Sequence, residues 1–552
     1  MYSPAMATRI FSWASKSRPI SFRACCNSCS RIAMTSANQP LLQKLFTPEY
    51  SGAGSLPHMA FPPPSDAVNR ICVVISDIHC TDGTVGNQSG EGDDWQRFFQ
   101  DLRLACRDHD ELVLVLNGDI IDLVRSAAWT EAGVYPWDRD HARFAELVNA
   151  ILDGIIRLHA TPFGLFGQHG FFEQLKRLRP LLQADGTAVR IIPIVGNHDK
   201  ELLLVASARQ RFYRDCLGWT DSEQETGYRD WIAAMYGAGK ADEPPWLPFY
   251  FGDRGFKLFA THGQWRDNSN SRAQPGWRAG QGWHPGTWQG LGFSPFTAAC
   301  FGDTVAAGLL SGFIHDTKRQ LRQLDVTRHP VNARAITRLN HILDEMDLYR
   351  PAVAGIVRIL QEARLQRGKG VDEALLQLIS GNFRASLRRW LAQPVSWRSA
   401  PAKLKLFLPV LALLGRIKAD RITLGIMKLM AKVQEPQTGI GTLQLLALPG
   451  FQKAYREEGF RIHTEGHTHV PLEADLQFEQ PADQPNYSYI NTGAWRSQIM
   501  PKQNYGYRRR GVGRALYVYD RLDPATASRR FGYYLRDAIS WCERSDWGGG
   551  AA

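Results

Sequence analysis

Ile191-Ile192-Pro193-Ile194-Val195-Gly196-Asn197-His198-Asp199 is the stretch that decides the fold. Its first five residues are apolar and mostly β-branched, which predicts a buried strand. That strand ends in glycine and then presents an amide, an imidazole and a carboxylate. Such side chains are costly to bury unpaired, so they belong at a strand end beside water or a metal.

Four other apolar runs end in the same way. Ile71-Cys72-Val73-Val74-Ile75-Ser76 leads into Asp77-Ile78-His79, and the run from Glu111 to Leu116 leads into Asn117-Gly118-Asp119-Ile120-Ile121-Asp122. Phe256 to Thr261 precedes His262-Gly263, and Phe460 to Glu465 precedes Gly466-His467-Thr468-His469. Further strands are expected at Tyr487 to Asn491, running into Gly493-Ala494-Trp495, and near Ala515 to Tyr519. Helices are expected from about Asp94 to Arg107, with Trp95, Phe98, Phe99, Leu102 and Leu104 as the apolar face, and from about Asp140 to His159. Asp93 and Asp94 suit the start of the first helix. Fully apolar strands alternating with helices predict α/β layers, with helices covering a sheet.

The strand ends collect Asp77, His79, Asp119, Asp122, Asn197, His198, His262, His467 and His469. These are oxygen and imidazole donors without a thiolate, a set that suits Mn²⁺, Fe²⁺ or Zn²⁺. There are too many for one tetrahedral centre. They fit two adjacent divalent ions sharing a bridging carboxylate, the arrangement that clamps a phosphoryl group and generates hydroxide. His109, His159 and His463 lie outside these blocks and are expected to be structural, whereas His284 is a candidate substrate contact.

Taken in order, Asp77-Ile-His79, Gly118-Asp119-Ile-Ile-Asp122, Gly196-Asn-His-Asp199, His262 and Gly466-His-Thr-His469 resemble the five blocks of the calcineurin-like metallophosphoesterases. The resemblance covers about 70–265 and 450–520. It implies a β-sandwich flanked by helices, with one metal held by Asp77, His79 and His469, the other by Asn197, His262 and His467, and Asp119 bridging. It further implies that His198 protonates or stabilises the leaving oxygen and that Asp122 orients that imidazole. Phosphoprotein phosphatases of this superfamily resemble Gly-Asp-x-x-Asp-Arg-Gly and Gly-Asn-His-Glu. Leu123 and Asp199 depart from both patterns, which argues against a protein phosphatase.

Composition bounds the partners and the organisation. The chain has 552 residues, 44% hydrophobic and 22% charged, as expected for a globular protein with more than one domain or a large insertion. A net charge of +11 favours anionic partners: phosphorylated substrates, nucleic acid or an anionic membrane surface. Nine cysteines without regular spacing, including Cys72, Cys80 and Cys106 in or beside core strands, predict free thiols and a cytoplasmic location. Cys25, Cys26 and Cys29 group together, but no second pair follows at zinc-site spacing.

Residues 1–65 read as a disordered leader and linker. No acidic side chain precedes Glu49, and Arg9, Lys16, Arg18, Arg23, Arg31 and Lys44 lie among serines, a composition also found in transit peptides. The core is expected at 66–265 and 450–545, interrupted by a large helical cap insertion at 266–449. Around its start, Trp265, Trp277, Trp283 and Trp288 lie among Arg266, Arg272 and Arg278.

Within the insertion no acidic residue occurs between Glu373 and Asp420, while Arg384, Arg388, Arg389, Arg398, Lys403, Lys405, Arg416 and Lys418 are basic. Leu404, Leu406, Phe407, Leu408, Val410, Leu411, Leu413 and Leu414 are interleaved with them. This pattern suits either an interfacial helix peripheral to a membrane or a cap helix buried against its neighbours. It also resembles, more distantly, the cap of the UDP-2,3-diacylglucosamine pyrophosphohydrolases. Their Gly-His-Thr-His-x-Pro block is matched here through Pro471, and their Gly-Ala-Trp turn by Gly493-Ala494-Trp495. The likeness stops at His198, where that family has arginine.

The expected function is therefore hydrolysis of a small-molecule or lipid-linked phosphoester or pyrophosphate. One alternative is a nuclease or phosphodiesterase acting on single-stranded nucleic acid through the basic and Trp-rich surface, with manganese among the metals the site accepts. The other is a non-catalytic scaffold that binds a membrane or partner. No stretch reaches the roughly 18 apolar residues of a membrane span.

Overall fold

The three apolar runs at the start of the core pair side by side. β1 (Arg70–Ile75), β2 (Glu111–Asn117) and β3 (Ala188–Ile194) are parallel, with Val74 opposite Val115 and Val115 opposite Ile192. Parallel register brings their C-terminal ends, and so Asp77, Asp119 and Gly196, to one edge of the sheet. In the computed structural model the described residues are 69–86, 92–162, 170–219, 232, 247–267, 269–272, 294–324, 330–349, 352–365, 371–414, 416, 459–476, 487–502, 506–511 and 513–537. The leader and linker, the Cys25 group, Trp277, Arg278, Trp283, His284, Trp288 and the insertion from 417 to 449 lie outside them.

Between these strands run α1 (Gly92–Ala105), α2 (Ala127–Ala132), α3 (Phe144–His159) and α4 (Phe171–Ala184). β4 (Tyr250–Asp253) and β5 (Leu258–Thr261) form a hairpin that starts a second sheet. The helices α5 (Gly312–Gln323), α6 (Pro330–Asp344), α7 (Ala352–Leu365), α8 (Val371–Ala392) and α9 (Leu408–Leu414) follow. Then come β6 (Ile462–Glu465), β7 (Leu472–Leu476), β8 (Tyr487–Asn491), β9 (Ser497–Pro501), β10 (Tyr507–Gly511), β11 (Arg514–Asp523) and β12 (Ser528–Asp537).

The architecture is mixed α/β, with two five-stranded sheets in the orders β12-β11-β1-β2-β3 and β4-β5-β6-β8-β7, and a separate β9–β10 ribbon. In the second sheet β5, β6 and β8 are parallel, so His262, Gly466 and Gly493 also follow C-terminal strand ends. Hydrogen bonds stitch the two edges together. The Asn117 side-chain amide donates to Thr261 O (3.0 Å) and Trp495 N–H to Asp77 O (3.1 Å), while Gly466 N–H donates to His262 O (3.0 Å) within the second sheet. Both sheets and α1, α3 and α4 share one hydrophobic core. Trp95 of α1 stacks on Trp495 with ring centroids 4.7 Å apart, tying the first helix to the last site loop.

The structure departs from the sequence reading in several places. Leu104 is exposed. It stands about 200° around α1 from Leu102, off the stripe of Trp95, Phe98, Phe99 and Leu102 at i, i+3, i+4 and i+7. α4 was not expected between His159 and β3; its Pro180 and dispersed charges mask the helical period. β4 and β12 were likewise not foreseen. β12 is a charged edge strand whose Arg529, Arg530 and Arg536 blunt pairing with other chains.

The helices between 294 and 414 have their own buried cluster, in which Phe313, Ile314, Phe383, Leu387 and Trp390 join Val85, Ala127, Ile499 and Tyr507 of the sheet-bearing part. Arg125 reaches this helical segment at Ala306 O (2.9 Å), Ser311 Oγ (3.1 Å) and the Asp347 carboxylate. Lys200 pairs with Asp303, both side chains only 3% exposed. The two anchors lie three residues after Asp122 and two after His198. Among the described residues no helix is long and apolar enough to cross a membrane. Cys72, Cys80, Cys106, Cys216 and Cys300 are free and buried. Burial pushes the Cys106 and Cys300 thiols up to about 12, which makes them poor nucleophiles.

His159 is a core residue, its Nε2–H donating to Thr81 O at 3.0 Å. Burial lowers its pKa from 6.5 to about 4, against a smaller opposing effect of that hydrogen bond. Because the folded value lies below the unfolded one, the unfolded chain binds more protons between pH 6.5 and 4. Stability is lost as pH falls through that window. Urea unfolding should show wild type losing up to about 3 kcal/mol more than His159→Gln between pH 7 and pH 4. Equal losses would show that His159 is not held neutral.

Candidate metal centre

The loops after the parallel strands adopt backbone that L-residues avoid. Among the described residues, seven non-glycines have positive φ, and five of them are Asp77 (54°), His79 (50°), Asp119 (49°), His467 (63°) and His469 (58°). Each costs about 1 kcal/mol or more, so the surrounding hydrogen bonds must hold these turns. Two glycines are fixed by close approach. A Cβ on Gly196 would strike the Asp119 carboxylate, and one on Gly466 would strike Ser76 Oγ and Asp77 Oδ2. The Asp199 carboxylate staples two loops together, accepting from the N–H groups of Gly196 (2.9 Å), Ile121 (2.9 Å) and Ile120 (3.3 Å).

Eight of the nine residues singled out in the sequence are brought together by their side chains, and the ninth, Asn197, lies between Gly196 and His198, which both pack on Asp119. Asp77, His79, Asp119 and His469 form one group with donor atoms within 4.8 Å of one another, and Asp119, His262 and His467 form a second. Asp119 belongs to both. Its Oδ1 accepts from His198 N–H (2.8 Å), while Oδ2 lies 3.7 Å from His79 Nε2 and 3.2 Å from His262 Nε2. His469 Nε2 lies 2.9 Å from Asp77 Oδ1 and 3.1 Å from His79 Nε2. Asn197 is buried beside them and lines a small crevice with Lys200, Gln264 and Asn270.

Asp122 sits behind two imidazoles. It accepts from His198 Nδ1–H at 2.7 Å through Oδ1 and meets His79 Nδ1 at 3.3 Å through Oδ2. These contacts turn the Nε2 atoms of both rings toward the centre. The rings are edge-on to each other, centroids 4.9 Å apart.

Electrostatics and unmet hydrogen bonds fit a cation site. Burial raises the Asp119 and Asp122 pKa values, but neighbouring imidazoles outweigh it: His262, His198 and His79 for Asp119, and His198 and His79 for Asp122. Both carboxyls are held well below the usual carboxylate range. Burial lowers His198 and His262, yet Asp122 and Asp119 push His198 up to about 10, and Asp119 and Asp77 push His262 up to about 9. The field that favours protons on these nitrogens also favours divalent cations. Asn197 Oδ1 is buried without a hydrogen-bond partner, and His262, with Nδ1–H donating to Asn117 O (2.9 Å), turns Nε2 toward the Asp119 carboxylate, as donors that share a metal would be placed.

Two residues near the centre were not singled out in the sequence. Asp267, 2% exposed, has Oδ2 3.2 Å from His467 Nε2. Donation from Nε2–H to that oxygen leaves His467 Nδ1 as the lone-pair atom, the usual carboxylate–histidine–metal relation. Burial raises the Asp267 pKa, but the hydrogen bond and charge of His467, together with hydrogen bonds from Ser269 N–H and the Asn270 amide, outweigh it and leave the carboxyl below its ordinary value. The available signal was its position five residues after His262 in the same loop. Arg496, 3% exposed, directly follows Gly493-Ala494-Trp495 and touches His469 Nδ1. The three histidines set aside are elsewhere engaged: His463 with Glu465 Oε1 (2.9 Å), His109 with Ala105 O (2.9 Å) and Arg521, and His159 with Thr81.

Residues 72–310 match the family model for calcineurin-like phosphoesterases. The match supports the metallophosphoesterase superfamily and ends before Gly466-His467-Thr468-His469, which the fold nevertheless brings to the same centre. No curated protein matches the chain. A calcineurin-like phosphoesterase domain with a buried Asp/His cluster fits a metal-dependent phosphoester hydrolase.

If Asp267 fixes the His467 tautomer, Asp267→Asn weakens divalent-metal binding by about 10–100-fold in calorimetry on chelator-stripped protein, with thermal unfolding of the metal-free form little changed. Unaltered affinity would assign Asp267 a purely structural place.

Proposed function

We propose that this chain is a two-metal hydrolase of a small-molecule or lipid-linked phosphoester or pyrophosphate. The observation that carries the reading is Asp119 Oδ2, which faces His79 on one side and His262 on the other. In this reading Asp77, His79 and His469 hold one ion, Asn197, His262 and His467 the second, and Asp119 both. The donor set accepts Mn²⁺, Fe²⁺ or Zn²⁺. When bound, such ions supply Lewis acidity to the phosphoryl oxygens and lower the pKa of water toward neutrality.

The chain's own residues do the rest. His198, its Nδ1–H donating to Asp122, presents Nε2 as a proton donor to the leaving oxygen. Asp122 stabilises the imidazolium and fixes the ring. Arg496 offers a buried guanidinium on the His469 side, suited to a phosphoryl oxygen. The helical segment from 294 to 414 is anchored at Arg125 and Lys200, beside Asp122 and His198, which supports a role as the cap that selects substrate. The likeness of its basic apolar stretch to the UDP-2,3-diacylglucosamine pyrophosphohydrolases favours a lipid-linked substrate within this class.

The test is hydrolysis of aryl and alkyl phosphate mono- and diesters by stripped protein reloaded with Mn²⁺, Fe²⁺ or Zn²⁺. Asp119→Asn should abolish turnover, whereas wild type that cleaves no phosphoester in any metal form would sink the proposal. His198→Gln should lower kcat by about 10²–10⁴-fold on alkyl esters and much less on nitrophenyl esters, whose leaving group needs no proton. Equal losses on both would remove His198 as the acid.

A further inference from the structure

α9 and the turn before it carry apolar residues on two faces. Leu404, Leu408 and Leu411 are buried against the helical segment, at spacings of four and three. Leu406 (78% exposed), Phe407 (57%), Val410 (51%) and Leu413 (62%) point the other way. A surface helix ordinarily shows one apolar stripe and one polar face. Here four large apolar side chains within eight residues stand in water, which is the mark of a contact surface rather than of scattered exposure.

The charge around this face identifies its occupant. Lys405 and Arg416, both exposed, bracket this apolar stretch in the chain, and the sequence has no acidic residue between Glu373 and Asp420. A second copy of the chain would set one cationic rim against another, which opposes a self-complementary dimer. Nucleic acid would meet the cations but leave the leucine, phenylalanine and valine side chains without an apolar partner. An anionic bilayer supplies both headgroup charge and acyl chains.

We propose that Leu406, Phe407, Val410 and Leu413, with Lys405 and Arg416, form a docking surface for anionic membrane lipid. The apolar side chains enter the boundary between headgroups and acyl chains, and the cations pair with lipid phosphates at its level. This surface acts independently of hydrolysis and would hold the enzyme at the lipid face as a peripheral protein.

The experiment is co-sedimentation of the full chain with phosphatidylcholine vesicles, with and without phosphatidylglycerol, across a salt series. Wild type should sediment with the anionic vesicles and be released as salt rises. L406S/F407S/L413S and K405E/R416E should each weaken partition by about tenfold or more, with melting temperatures close to wild type. Equal partition of wild type and both variants, or none by wild type, would overturn the proposal. A marked fall in melting temperature for the serine variant would also overturn it, because the chain itself would then cover this face. So would wild-type self-association, seen by sedimentation velocity, that the serine substitutions abolish.

Discussion

Everything at the centre depends on how the Asp119 carboxylate is held. One oxygen is fixed by the backbone N–H of His198, and the other is left between the imidazoles of His79 and His262. Those imidazoles come from different sheets, so the carboxylate has its place only once both sheets have met. The bonds that join the sheets, Asn117 to Thr261 and Trp495 to Asp77, run through neighbours of the candidate ligands. Assembly of the core and of the site is thus one event.

The cost of that assembly is visible in the backbone. Five of the nine site residues sit in left-handed conformations, and Gly196 and Gly466 leave no room for a methyl group beside Asp119 and Asp77. Crowded carboxylates and imidazoles repel or attract strongly when buried, and here attraction wins because each carboxylate faces imidazoles. A divalent ion between them would give the unpaired Asn197 oxygen a partner and help hold the loops in these conformations.

Much of this was legible in the sequence because it is encoded locally. An apolar strand ending in Gly-Asn-His-Asp or Gly-His-Thr-His announces both the strand and the polar cluster, and parallel pairing then brings the ends together. Asp267 was not legible, because a carboxylate in a loop carries no signal until His467, two hundred residues away, is seen beside it. Leu104 and α4 are not legible in the sequence, because helical phase is subtle at the one and interrupted by Pro180 in the other. The alternatives left open at the stretch from Leu404 to Leu414 were an interfacial helix and a buried one. The structure divides the stripe, burying Leu404, Leu408 and Leu411 and exposing Leu406, Phe407, Val410 and Leu413.

The most direct measurement is anomalous diffraction from crystals of the protein loaded with Mn²⁺. Two anomalous peaks about 3.5–4 Å apart are expected, one among Asp77, His79 and His469, the other among Asn197, His262 and His467, with Asp119 touching both. A single peak, or peaks away from Asp119, would contradict a two-metal centre bridged by that carboxylate.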